Sequence, residues 1–177
     1  MTAVGAGGDA RPPAAASCDG CTLCCVVFRI EALAKPPYHP CRHIAGSGCG
    51  VYDAPARPAV CAGFVCRYIQ GHRDGTADRD GLPHPKDAGA YVFRHPDRAV
   101  TVMCVDPRRP HAWRTTGLVR FLEAALTGGT ALVVHDRGYA FTISDPLHLA
   151  HVVADDYVRV AGEMGIPPNE PGFEGLA

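Results

Sequence analysis

The sequence predicts an α+β protein in which an irregular cysteine-rich metal-binding module precedes a small antiparallel or mixed sheet with two helices. Three observations lead there. Eight of the nine cysteines crowd between positions 18 and 66 of a 177-residue chain. Short apolar runs of β type flank turn residues in the second half, and two stretches there repeat their apolar residues at the 3.6 period of a helix. The resulting order, β-β-α-β-β-α, packs as one sheet layered with helices.

In chain order, residues 1–17 are mostly Ala, Gly and Pro, with Arg11 and no continuous apolar stretch. They read as a flexible tail rather than a secretory signal. Residues 18–70 form the cysteine module, punctuated by Pro36-Pro37, Pro40, Gly46, Gly48, Gly50, Pro55 and Pro58, where little regular structure fits. The exception is Val26 to Lys35, a short helix that Pro36 stops, because proline lacks the next donor and disfavours helix in its predecessor. Residues 71–89, with Asp-Gly twice and Pro83-His84-Pro85, read as a linker loop.

Residues 90–166 carry the regular elements. Tyr91-Val92-Phe93 and Ala99 to Val105 are strands, the second closed by Asp106-Pro107. Over 116–127, Leu118, Val119, Leu122, Ala125 and Leu126 share one helical face that Gly128-Gly129 ends. Ala131 to Val134 and Tyr139 to Ile143 flank His135-Asp136-Arg137-Gly138, a hairpin tip in which glycine supplies the positive φ of a tight turn. Asp145 caps and Pro146 opens a last helix with Leu149, Val152, Val153, Tyr157, Val160 and Met164 on one face, closed by Gly165 and Pro167. Residues 167–177 read as a second tail.

Composition narrows the function classes. With 47% hydrophobic and 20% charged residues, the chain lies outside the regime of disorder. Seventeen Lys+Arg against eighteen Asp+Glu leave a formal charge of -1, so no positive field gathers phosphates and nucleic acid is not expected as a partner. No run approaches the roughly 20 apolar residues of a membrane helix, so no membrane partner is expected either. The expected address is a reducing cytoplasm, where clustered thiols more often hold metal than disulfides. A disulfide scaffold is the competing, purely structural reading of the same residues.

The C-x-x-C-x-x-C-C spacing of Cys18, Cys21, Cys24 and Cys25 puts several thiolates within a turn or two of backbone, as a loop wrapping an ion or cluster requires. Soft thiolates select zinc, copper(I) or iron–sulfur. The remaining thiols arrive as Cys41, Cys49, Cys61 and Cys66. Adjacent Cys24 and Cys25 are expected to point apart and serve different sites, or one of them to be a redox or hydrogen-bonded thiol; two neighbouring four-thiolate sites would use all eight. Gly48 beside Cys49 and Gly63 near Cys61 are expected to let backbone amides approach sulfur. The three-thiol run is closer to ferredoxin loops than to the paired spacing of zinc ribbons, which slightly favours an iron–sulfur cluster over zinc.

Cys18 to Cys25, Gly48-Cys49-Gly50-Val51-Tyr52, Arg57-Pro58-Ala59-Val60-Cys61 and Phe64-Val65-Cys66 together resemble the CxxCxxCC, or YkgJ-like, family of zinc- or iron-chelating cysteine-cluster proteins. The resemblance covers roughly residues 18 to 66, and each of the family's eight cysteines has a counterpart. Two departures are Asp53-Ala54-Pro55-Ala56, four residues between Tyr52 and Arg57 where the family has two, and Ala62, where arginine is common. What the resemblance implies is metal binding through Cys18, Cys21, Cys24, Cys25, Cys41, Cys49, Cys61 and Cys66. One branch is similar to flagellin lysine-N-methylases, which implies the alternative of an iron–sulfur-dependent methyltransferase or redox protein. The chain is short for that role, and Gly5-Ala6-Gly7-Gly8 is a weak nucleotide-loop pattern with no strand before it.

Other residues carry weaker signals. His39 and His43 bracket Cys41 and could join the ligands, and Arg42 and Arg57 could donate to sulfur. Cys104 reads as a small core residue. His135 and Asp136 read as turn residues, and Asp106 to Pro110 as solvated charge. The expectation is therefore a cytoplasmic, bacterial-type metal-binding protein holding an iron–sulfur cluster or zinc, with no assigned catalytic residue, whose C-terminal layer serves as a platform or protein-partner surface.

Overall fold

The computed structural model describes residues 18, 20–46 and 48–168. The expected tail at 1–17 and all but the first two residues of the one at 167–177 lie outside the described residues. Helices and a mixed four-stranded sheet make an α+β fold. The strands are β1 (Ile44–Ala45), β2 (Gly48–Cys49), β3 (Ala90–Arg94), β4 (Val100–Val105), β5 (Ala131–Asp136) and β6 (Tyr139–Ile143). β1 and β2 form a small hairpin of their own; the other four line up in sequence order.

In the larger sheet β3 and β4 are antiparallel, with Tyr91 opposite Cys104. β5 runs parallel to β4, with Met103 opposite Val134, and β6 returns antiparallel. The parallel step needs a crossover, supplied by helix α6 (Leu118–Thr127). Its buried Leu118, Leu122 and Leu126 are the i, i+4, i+8 stripe read from the sequence. They pack with Trp113, Val92, Met103, Val105, Leu132 and Val134 in the main core.

The second face of the sheet is covered as well. Tyr91, Phe93, Val102 and Cys104 point that way and meet Leu23 and Val27, both on helix α1 (Leu23–Val27) of the cysteine module. Burial on both faces explains why β3 and β4 are nearly continuous apolar runs, broken by Thr101 and the exposed Arg94, rather than alternating ones. It also makes the module a layer of the same body.

Residues 71–89 are not a structureless linker. They complete helix α3 (Arg67–Arg73) and add α4 (Ala77–Asp80) and α5 (Pro85–Ala88). Arg67 pairs with Asp80, and the His84 ring accepts from the Lys86 amide to cap α5. Gly89 ends α5 at φ +69, and a Cβ there would lie 2.6 Å from Ala112 Cβ, so only glycine fits. The Asp-Gly and Pro signals mark helix ends packed closely together, which local reading takes for a loop.

The helix expected over 26–35 is displaced. α1 ends at Val27, and residues 30–35 fold back around a 3-10 turn, Glu31–Leu33, closed by reciprocal backbone bonds between Ile30 and Lys35 of 3.0 and 3.1 Å. The module also holds helix α2 (Ala59–Gly63), more regular structure than its proline content suggests.

Two further expectations change near the C-terminus. His135 and Asp136 are not turn residues but the buried end of β5, at 8% and 4% exposure. The two-residue turn is Arg137-Gly138, at φ 48 and 85, the mirror-image type that suits a twisted hairpin. The last helix is broken into α7 (Pro146–Ala154) and α8 (Tyr157–Glu163), because the Asp156 side chain accepts from the Arg159 amide and starts a new helix. Arg137 joins these parts, donating to both oxygens of Asp136 and both of Asp156. The segment read as solvated charge is likewise engaged: Asp106 is 1% exposed and takes both its oxygens to Arg108.

Burial alone would raise the Asp156 carboxyl, but hydrogen bonds from Arg137 and the Arg159 amide, with the charges of Arg137 and His111, outweigh it and hold the group below its ordinary 3.8. A depressed carboxylate contributes stability that is complete above 3.8 and is lost as the pH falls through the lower folded-state value. Arg137→Gln is expected to lower the urea midpoint at neutral pH, with the gap to wild type closing in acid below that value. A gap that stays constant across the titration would show that the ion pairs are not its source.

Candidate metal centre

All eight module cysteines, Cys18, Cys21, Cys24, Cys25, Cys41, Cys49, Cys61 and Cys66, line one cavity of about 90 Å³ between the module and the sheet. Each of the nine cysteines in the chain is a free thiol. Local structure delivers the eight from separate places. Cys24 and Cys25 sit on α1, Cys49 on β2 and Cys61 on α2, while Cys18, Cys21, Cys41 and Cys66 lie on the connecting turns. The thiols ring the cavity without converging on a point: among the described residues, no group of three or more His, Cys, Asp or Glu side chains is gathered closely enough to hold an ion.

Two buried or half-buried cations frame the cavity. Lys35 is 6% exposed, and its ammonium donates to the carbonyls of Val26 at 2.9 Å, Pro36 at 3.1 Å and Phe28. It thereby caps the C-terminal end of α1, where carbonyls lack helical partners and a cation is favoured. Arg57 lies over the Tyr52 ring at 4.0 Å and donates to the carbonyls of Tyr52 at 3.1 Å and Cys61 at 2.5 Å. These bonds close the four residues that separate Tyr52 from Arg57, so the longer loop remains compact. Arg57 contributes charge and backbone support rather than a bond to sulfur.

Burial pushes the Cys21 thiol up to about 11, against the Leu23 amide that favours its thiolate. Burial likewise raises Cys18, Cys61 and Cys66, with neighbouring thiolates adding to the effect at Cys18 and Cys61. At Cys66, the N-cap of α3, no side-chain cap bond closes, yet the Tyr68 and Ile69 amides favour its thiolate and oppose the rise. Cys24 and Cys25 behave as a pair. Their mutual hydrogen bond raises Cys24 and lowers Cys25, with Lys35 and Arg57 drawing Cys25 further down. Adjacent in sequence, they face the same cavity and touch, rather than pointing apart as local geometry suggests.

The amides that act on sulfur differ from those expected. Gly48 and Gly63 supply none; the donors are the His43 amide, at 3.5 Å from Cys41 Sγ, and the first amides of α1 and α3. A short helix beginning just after a cysteine is the sequence signal for them. His43 lines the cavity. His39 and Arg42 are exposed and do not, and the His39 ring instead reaches the Pro37 carbonyl at 2.9 Å. Cys104 is fully buried, on the sheet face beneath the module.

Tyr91, a strand residue by its sequence pattern, also borders the cavity. Its ring stands edge-on to Phe28 and Phe64. Its buried hydroxyl lies beside the Cys104 thiol, and burial together with that neighbour raises the phenol well above its ordinary value. Among the described residues no carboxylate lines the cavity, and their donor set is the soft one that suits zinc, copper(I) or iron–sulfur rather than magnesium or calcium. Comparison with family models, curated proteins and solved structures gave no match to this chain.

Lys35→Met keeps the apolar stem and removes the bonds to the three carbonyls. The expected cost is about 1–3 kcal/mol in urea unfolding of the reduced, metal-free protein, with cysteines of the module becoming more accessible to alkylation. An unchanged midpoint and alkylation rate would show that the ammonium does not hold the module together.

Proposed function

We propose that this protein binds metal through its eight module cysteines, as zinc or an iron–sulfur cluster, and that it is a cytoplasmic relative of the CxxCxxCC cysteine-cluster proteins. The observation that carries the reading is the lining of a single cavity by eight thiols. Cys18, Cys21 and Cys61 are raised by burial and by neighbouring thiols, and Cys66 by burial, so a bare cavity disfavours several thiolates at once. A bound cation reverses that balance by stabilising the charged form.

The surroundings suit such a group. Lys35 and Arg57 offset thiolate charge. Loaded with metal, the cavity would tie α1, the β1–β2 hairpin, α2 and the start of α3 together. Much of the module's folding energy would then come from the ion, as in other small thiolate sites. Among the described residues no helix is long and apolar enough to cross a membrane.

Anaerobic purification followed by elemental analysis and a visible spectrum of the same sample tests the reading. Iron with sulfide and broad visible absorption, or stoichiometric zinc without colour, is the expected result. Cys21→Ser is expected to lose bound metal and to expose residues 18–66 to protease; metal retained in full by that variant would overturn the assignment. Because raised thiols must release protons on ligation, zinc affinity is expected to climb steeply between about pH 6 and about pH 8. A flat profile would mean that the thiols are not the ligands.

A further inference from the structure

A second cavity, of about 880 Å³, lies beside the thiol cavity, and the two share a wall: Val60, Phe64 and Val65 line both. It opens at β3, an edge strand of the sheet, and reaches both faces there. Phe93 lines it from the side of the cysteine module. Arg94, one residue on, belongs to the opposite face, which Val92 shares with α6. Phe121 and Ala125, one turn apart on α6 and only partly buried, wall it on that side. Pockets that take small molecules measure about 300–1,000 Å³ and are mostly apolar, with a few placed polar groups. This cavity has that size and that kind of lining.

Two of its polar side chains are already engaged: Arg67 pairs with Asp80, and Gln70 donates to Asp74 at 2.8 Å. Arg94 and Thr101 are not. They are register partners across β3 and β4, so their side chains leave the same face of the sheet with Cβ atoms about 4.5–5.5 Å apart. Arg94 is exposed, and among the described residues its guanidinium meets no carboxylate and no other acceptor. Thr101 is only 9% exposed, yet among the described residues its hydroxyl has no hydrogen-bond partner. A hydroxyl so deeply buried ordinarily has one.

We propose that this cavity binds a small organic acid with an apolar body, its carboxylate held by Arg94 and the Thr101 hydroxyl and its body lying against Phe64, Phe93 and Phe121. A guanidinium presents parallel N–H donors that match a carboxylate, and the hydroxyl adds a further donor beside them. Charge selects the head group. Arg67 is neutralised by Asp80, and no carboxylate stands among the described lining residues, so one positive charge is left uncompensated. A single carboxylate balances it, whereas a phosphate monoester brings about 1.5–2 negative charges at neutral pH. The apolar body supplies the burial, exchanging water for aromatic rings. The site needs no metal, and the shared wall sets it one layer of side chains from the thiols.

Calorimetric titration of the purified full chain with decanoate, kept below micelle formation, tests the site. Binding of about one decanoate per chain is expected, with decanol, which has the same chain and no charge, at least about tenfold weaker. Decyl phosphate is expected to bind no more tightly than decanoate. Arg94→Gln, at an exposed position, is expected to weaken decanoate at least about tenfold and to leave decanol unchanged. Thr101→Val is expected to weaken decanoate, and Thr101→Ser, which keeps the hydroxyl, to retain it. Absence of decanoate binding at millimolar concentration overturns the proposal, as does equal affinity for decanoate and decanol or an unchanged affinity in Arg94→Gln. Tighter binding of decyl phosphate overturns the choice of a carboxylate. Metal content, measured on the same sample, reports on the metal-binding reading separately.

Discussion

The four-stranded sheet is apolar on both faces, and covering its second face is the constraint on which the rest of the structure depends. Tyr91, Phe93, Val102 and Cys104 would otherwise present a hydrophobic surface to water. Among the described residues, the apolar cover for that face comes from the cysteine module, through Leu23, Val27 and Phe28. Docking α1 there carries Cys21 and Cys24 against the sheet and closes the thiol cavity beneath the aromatic group of Phe28, Phe64 and Tyr91. Hydrophobic packing thus places the donors, and their chemistry follows from where packing leaves them.

Desolvation connects fold to site. A thiol in water ionises with modest difficulty, but one held among aromatic rings and other thiols resists it, as the raised Cys18, Cys21, Cys61 and Cys66 show. The module moderates this with fixed positive groups: Lys35, whose ammonium donates to three backbone carbonyls, Arg57, and the first amides of α1 and α3. These groups need no metal to stay in place. What they leave uncompensated is the bulk of the thiolate charge, which makes the cavity a receptor for a cation rather than a cluster of reactive thiolates.

The C-terminal ends of β4 and β5 are organised by charge. Asp106 follows β4, and Asp136 ends β5; both are almost fully buried and both are answered by arginines a residue or two away. Arg137 also reaches Asp156 and so ties the hairpin to the start of α8. This network accounts for residues that invite an acid–base reading when seen as isolated letters. Their hydrogen bonds are already made within the fold.

The sequence by itself determined the α+β class, the four long strands, α6 and its buried stripe, and the identity of the eight thiols. These depend on local periodicity, turn chemistry and composition, which neighbours along the chain express without help. Tertiary structure alone decided that residues 71–89 pack as three helical turns, that the last helix breaks at Asp156, and that Lys35 is buried. It also decided that Cys24 and Cys25 share a wall and that Tyr91 completes it. Each of these rests on a partner distant in sequence: Asp80 for Arg67, Arg137 for Asp156, the α1 carbonyls for Lys35, the sheet for Cys24. A one-dimensional pattern records which groups need partners, and only the packed chain says where those partners come from.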